Sequence, residues 1–240
     1  MVPQNGLILS PQHDEALNDT LQKGCWSEQQ FVGSDWKAEL HAADGSRFDV
    51  IYQGELAGTV NWSLLGQHNV NNALMAIAAA HHAGVTLSDA IAALGTFKNV
   101  KRRMECKGSV NNITVYDDFA HHPTAITTTL AGLRNKVGNA RIIAVLEPRS
   151  NTMKMGVHQH TLGNSWQQAD EVILFEPAGM NWSLNEIAEH SETPAYCYHD
   201  VESIVQKVAA ISQPGDHVLV MSNGGFEGIH QRLLDALGSK

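Results

Sequence analysis

The sequence predicts an α/β protein whose second part, after about residue 105, is a doubly wound sheet of parallel strands. Three observations predict it. Residues 141–146, 171–175 and 217–221 are near-continuous apolar runs rich in Val, Ile and Leu, the composition of strands covered on both faces. Helix-compatible segments at roughly 157–168, 183–190, 200–212 and 226–237 alternate with them or follow, and such alternation implies parallel βαβ units. Finally, Ile113-Thr114-Val115-Tyr116 is a short β-branched run that leads into Asp117 and Asp118 and then Pro123. Proline fits the first turn of a helix, where its missing N–H has no intrahelical partner. That stretch reads as strand, polar loop, helix.

The earlier part has another texture. Residues 7–10 are strand-like and 14–22 helix-compatible, ending near Gly24. A strand so close to the start suggests a chain that begins in mid-domain. Runs at 36–42, 48–53 and 56–63 are separated by Asp44-Gly45-Ser46 and Gln53-Gly54-Glu55, hairpin signals that predict an antiparallel meander. A helix then runs to Gly84, capped by Asn69 or Asn71, with His81 and His82 expected at its surface. A shorter helix over 87–94 stops at Gly95.

Bulk properties narrow the function classes. At 240 residues, 43% hydrophobic and 17% charged, the chain is globular in composition. A net charge of −9 speaks against nucleic-acid binding, while leaving room for a phosphate ligand held by a few arginines. Cys25, Cys106 and Cys197 are widely spaced and odd in number, which predicts neither disulfides nor a Cys-x-x-Cys metal site and fits a reducing, cytoplasmic setting. No apolar run approaches the roughly 18 residues of a membrane span, and no export signal is legible.

In an open α/β sheet, ligands collect at the carboxyl ends of the strands. Here those ends carry Asp117-Asp118, then Glu147-Pro148-Arg149-Ser150-Asn151, then Glu176-Pro177, then Ser222-Asn223-Gly224-Gly225. All are expected on one edge, with Arg102, Arg103, His121 and His122 nearby. The Arg149 fork suits a carboxylate, and a Gly-rich backbone lets a ligand approach closely. A plainer reading stands beside this one, in which the aspartates are turn formers or helix caps and Arg149 a surface arginine. Asn69 and Asn72 lie three apart, so their amides face one way and could meet a purine edge, or could simply cap the helix. His158 and His160, two apart, make poor chelate geometry. No G-x-x-x-x-G-K-[ST] phosphate loop and no G-x-S-x-G occurs.

Three motifs in this order, His68-Asn69-Val70-Asn71-Asn72-Ala73, Val100-Lys101-Arg102-Arg103 and Asp117-Asp118-Phe119-Ala120-His121-His122-Pro123-Thr124, resemble the Mur ligases, ATP-dependent amide ligases of peptidoglycan synthesis. The last resembles the branch that joins the first amino acid or a peptide to UDP-N-acetylmuramate. Within that branch, residues 146–154 and 221–226 resemble the member that attaches recycled L-alanyl-γ-D-glutamyl-meso-diaminopimelate. The alternatives are the alanine-adding member and a non-catalytic nucleotide- or peptide-binding module.

The resemblance implies the second part of a central ATP-binding domain over 1–104 and a C-terminal Rossmann-like ligase domain over 105–240. It also implies that the UDP-sugar domain, the phosphate loop and the upstream Mg²⁺ ligands lie outside this chain, which alone should not catalyse. ATP, with Mg²⁺, would turn the muramyl carboxylate into an acyl phosphate that the peptide's amine attacks. By the resemblance Asn69 and Asn72 sit beside the adenine, Asp118 at the ribose, and Arg103 at the phosphates with a catalytic role. His121, also catalytic, and Arg149 lie near the incoming amine component, with Ser150, Asn151, Asn223 and Gly224 on the peptide. No metal ligand is assigned within the chain.

Overall fold

A computed structural model describes residues 2, 3 and 5–239. The chain divides into two compact units between Asn99 and Val100. Arg102, Arg103 and Met104, which the sequence reading placed at the end of the first domain, therefore lie in the second unit.

The first unit holds β1 (Leu7–Pro11), α1 (Glu15–Gln22), β2 (Glu28–Val32), β3 (Trp36–Leu40), β4 (Arg47–Tyr52), β5 (Glu55–Asn61), α2 (Gln67–His82) and α3 (Leu87–Gly95). Its sheet runs β1-β2-β3-β4-β5. The expected meander is there, β3-β4 and β4-β5 being antiparallel, and β1 pairs in parallel with β2, a strand the sequence did not signal. Gly45 turns the chain between β3 and β4 at φ 80°, a conformation that disfavours a side chain, and a Cβ there would lie 2.9 Å from Val70. Trp36, Phe48, Val50 and Val60 from the sheet bury against Val70, Leu74 and Ile77 of α2.

Two local expectations are corrected. Helix α2 starts at Gln67 behind Gly66, not at a capping Asn69 or Asn71, because Asp44 O receives Gly66 N and ends the preceding loop there. His81 is not simply solvated, since its ring meets Tyr52 and Trp36 edge-on at 5.5 and 6.2 Å.

The second unit comprises β6 (Glu105–Val110), β7 (Ile113–Asp118), α4 (Pro123–Val137), β8 (Ile142–Glu147), α5 (Asn151–Lys154), α6 (Gln159–Leu162), β9 (Glu171–Phe175), α7 (Leu184–Glu189), β10 (Ala195–Tyr198), α8 (Val201–Ile211), β11 (His217–Ser222) and α9 (Ile229–Gly238). Its sheet order is β10-β9-β8-β11-β7-β6, parallel except for the antiparallel edge strand β6. Alternate residues of β8 feed opposite cores. Ile142, Ala144 and Leu146 pack with Ile126, Leu130 and Leu133 of α4, whereas Ile143 and Val145 pack with Ile204 and Val208 of α8 and Leu233 of α9. Both faces are covered, as continuous apolar strands require.

The helix expected over 157–168 is instead a single turn, α6, that runs on into a 3-10 turn over Gly163–Trp166, and α5 forms ahead of it in a stretch expected as loop. Gly156, at φ 76°, separates α5 from α6. β7 and β8 both flank β11, though β8 follows β7 directly in the chain. The crossover leaves a strand-order reversal whose carboxyl side is the place for a ligand.

Candidate functional site

The carboxyl edge of the second sheet gathers Asp117 and Asp118 from β7, Glu147 from β8 and Ser222 from β11, all buried. Each carboxylate has a protein partner. Asp118 Oδ2 accepts from Met104 N at 2.8 Å, and Oδ1 accepts from Ala120 N at 2.8 Å and Thr129 Oγ1 at 3.3 Å. Burial pushes the Asp118 carboxyl up, against the pull of these donors and of Arg103. Glu147 accepts a short hydrogen bond from Ser222 Oγ, which in turn accepts from Gly224 N at 2.9 Å.

Asp117 faces Arg102 and His230. Arg102 Nε stands 3.3 Å from Oδ2, and His230 Nε2 stands 3.2 Å from Oδ1, at ion-pair distance without an aligned hydrogen bond. Burial raises the Asp117 carboxyl, but His230 and then Arg102 outweigh it, and the net shift is downward. A carboxyl held below its unfolded value contributes stability that is fully present above that value and is lost as pH falls through the folded one. Asp117→Asn should therefore lower the denaturant midpoint at neutral pH by an amount that shrinks as the pH falls below the ordinary aspartate range. A gap that stayed constant or widened in acid would contradict this.

The sequence-derived candidates separate into two groups. Asn69 and Asn72 belong to the first unit, on α2, where Asn69 Nδ2 donates to Leu65 O at 2.8 Å and Asn72 is exposed. In the second unit the carboxyl edge collects Arg103, Asp118, His121, Arg149, Ser150, Asn151, Asn223 and Gly224. Arg103 is exposed, with its guanidinium 5.6 Å from the Phe119 ring centroid. His121 Nδ1 lies 2.9 Å from Phe119 O. Because a carbonyl only accepts, Nδ1 carries the proton and Nε2 the lone pair of the neutral ring.

Arg149 lies directly over Gly224, where a Cβ would come within 2.3 Å of Nη1 and 3.0 Å of Cδ. Asn223 Oδ1 is buried and finds no donor among the described residues. Ser150 caps α5 through Met153 N at 3.4 Å and Asn151 begins that helix, exposed.

Neither aspartate caps α4. That place is taken by His122, whose Nδ1 faces Thr124 N at 3.4 Å. Burial, then His158 and His121, hold the His122 imidazole below its ordinary value. Among the described residues no three His, Cys, Asp or Glu side chains gather as a metal site. The described residues do not by themselves fit Mg²⁺.

The profile of the Mur ligase, glutamate ligase domain matches residues 102–224, just over half of the chain. The chain belongs to the Mur ligase family. It is 54% identical, over its whole length, to the UDP-N-acetylmuramate–L-alanyl-γ-D-glutamyl-meso-2,6-diaminoheptandioate ligase of Escherichia coli K12, and 52% identical to the protein so named in Haemophilus influenzae. It also resembles the crystal structure of a murein peptide ligase from Psychrobacter arcticus, with 47% identity and a TM-score of 0.74 over the full chain. In all three comparisons the chain covers 53% of the other protein, so it spans about half the length of the Mur ligases it matches.

Sequence reasoning left Glu147, Ser222 and His230 without roles. Glu147 ends an apolar run, which is a usable signal for a polar group at a sheet edge. His230 had none, because only the fold brings α9 against β7.

Proposed function

We propose that this chain is part of an ATP-dependent ligase that joins L-alanyl-γ-D-glutamyl-meso-diaminopimelate to UDP-N-acetylmuramate in the cytoplasm, in peptidoglycan recycling. The observation that carries the reading is the pairing of Arg149, laid over Gly224, with the unpartnered acceptor of Asn223. A peptide bearing carboxylates and ammonium groups presents complements to both, a fork acceptor and N–H donors. The likeness to ligases named for this peptide supports the same choice.

In this reading Asn69 and Asn72 meet the adenine, and Arg103 meets the phosphates of ATP. Asp118 meets the ribose through the lone pair that Oδ2 keeps beside Met104 N. ATP supplies phosphate as the leaving group on the muramyl carboxylate. His121 Nε2 accepts a proton from the alanyl ammonium, freeing the lone pair that forms the C–N bond as the acyl C–O bond to phosphate breaks, while Ser150 and Asn151 border the peptide. The Mg²⁺ ligands and the UDP-sugar contacts are assigned to other parts of the complete protein.

Calorimetric titration with the tripeptide tests the peptide assignment. Saturable binding is expected, with Arg149→Ala and Gly224→Ala each weakening it on the order of tenfold, the scale of a charge-assisted hydrogen bond. Gly224→Ala acts by displacing Arg149, whose flexible tip yields without unfolding the sheet, so the double variant should be no weaker than either single one. Additive losses, or equal binding of free L-alanine, would defeat the assignment.

A further inference from the structure

We propose that Arg102 is a positioning residue that ties the turn carrying Arg103 to the turn carrying Asn223 and Gly224. What those turns bind rests on the function proposed above; the tie itself does not. In sequence, Arg102 and Arg103 are chemically equivalent neighbours. The backbone makes them different. Arg102 and Met104 sit at φ 61° and 50°, a left-handed conformation that L residues hold only when their surroundings compensate.

The compensation is visible. Phe119 N donates to Arg102 O at 2.9 Å, Arg102 N donates to Glu105 Oε2 at 2.9 Å, and Met104 N donates to Asp118 Oδ2 at 2.8 Å. The turn therefore sends Arg102 inward, its side chain 29% exposed against Asp117 at 5%, and leaves Arg103 on the exposed side.

Once inside, the Arg102 guanidinium uses separate N–H groups for separate partners. Nε reaches Asp117, itself flanked by His230, and Nη2 donates to Ser222 O at 2.5 Å. Ser222 Oγ then receives Gly224 N, and Gly224 lies beneath Arg149. One side chain thus spans residues 120 apart in sequence. A lysine carries its three donors on one nitrogen, which cannot stand where Nε and Nη2 both stand, so it keeps the charge beside Asp117 and weakens the bond to the Ser222 carbonyl.

Amide hydrogen exchange on the whole chain, with Arg102→Ala and Arg102→Lys beside the wild type, tests the tie. The alanine variant should raise exchange at both 102–104 and 223–224 on the order of tenfold, leaving β8 and β9 unchanged. The lysine variant should keep 102–104 near wild type while 223–224 opens. That asymmetry is what a mere loss of stability does not produce. Opening confined to 102–104 in the alanine variant, or wild-type exchange throughout in the lysine variant, overturns the proposal. If the alanine variant does not fold, the lysine variant decides alone. Failure of the wild type to bind the tripeptide would strike the proposed function and leave the exchange result standing.

Discussion

Arg141→Ala is expected to destabilise the second unit by about 3 kcal/mol, the cost of stranding buried carboxylates without their cation. Arg141 precedes β8 at the amino edge of the sheet, opposite the candidate site. Its Nη1 donates to Asp216 Oδ2 at 3.1 Å and to Ile211 O at 3.0 Å, and its Nη2 makes a short contact with Glu171. Glu171 and Asp216 are 8% and 5% exposed. Lys207 Nζ, 3.7 Å from Glu171, is too far to replace the lost bond fully. Removing the guanidinium leaves two carboxylates facing one another across three strand starts. Calorimetry should show the transition falling on the order of 10 °C. A shift of only a degree or two would mean that water and Lys207 already satisfy these acids.

The parallel sheet was legible because its strands are buried on both faces, and that condition writes itself as apolar runs at 142–146, 172–175 and 218–221. Strands at edges are less constrained. The edge strands β6 and β10 carry partly exposed residues, and β2, though interior, opens with the polar Glu28-Gln29-Gln30, so none announced itself. The misread helix over 157–168 shows the limit of periodicity. The chain does turn helical there, but Gly156 at φ 76° delays the start to Gln159 and the second half tightens into a 3-10 turn from Gly163.

For the site, sequence spacing identified which loops share an edge, since parallel strands must deliver their carboxyl ends to one side. It could not distinguish Arg102 from Arg103, or Asp117 from Asp118. Those distinctions depend on two left-handed residues in a short turn and on the orientation of a helix more than a hundred residues away in sequence. Burial and hydrogen bonding, not residue type, separate the side chains that hold the turn from those that face outward.

Asp118→Ala poses the sharpest version of that question, with an expected loss of about 3 kcal/mol from two backbone N–H groups and one hydroxyl left without their acceptor. Met104 N and Ala120 N approach different oxygens of the same carboxylate. An amide is no substitute. Whichever way the side chain of Asp118→Asn turns, its NH₂ meets one of those N–H groups, so the asparagine variant should lose nearly as much as the alanine variant. A residue that served only a ribose would behave differently, since both variants would keep the wild-type denaturant midpoint and lose affinity for ADP alone. If the midpoints fall as expected and ADP affinity falls further than the altered 102–104 turn accounts for in Arg102→Ala, Asp118 serves both the fold and the nucleotide. If ADP affinity in the folded fraction falls only as far as it does in Arg102→Ala, its work is to shape the turn that presents Arg103.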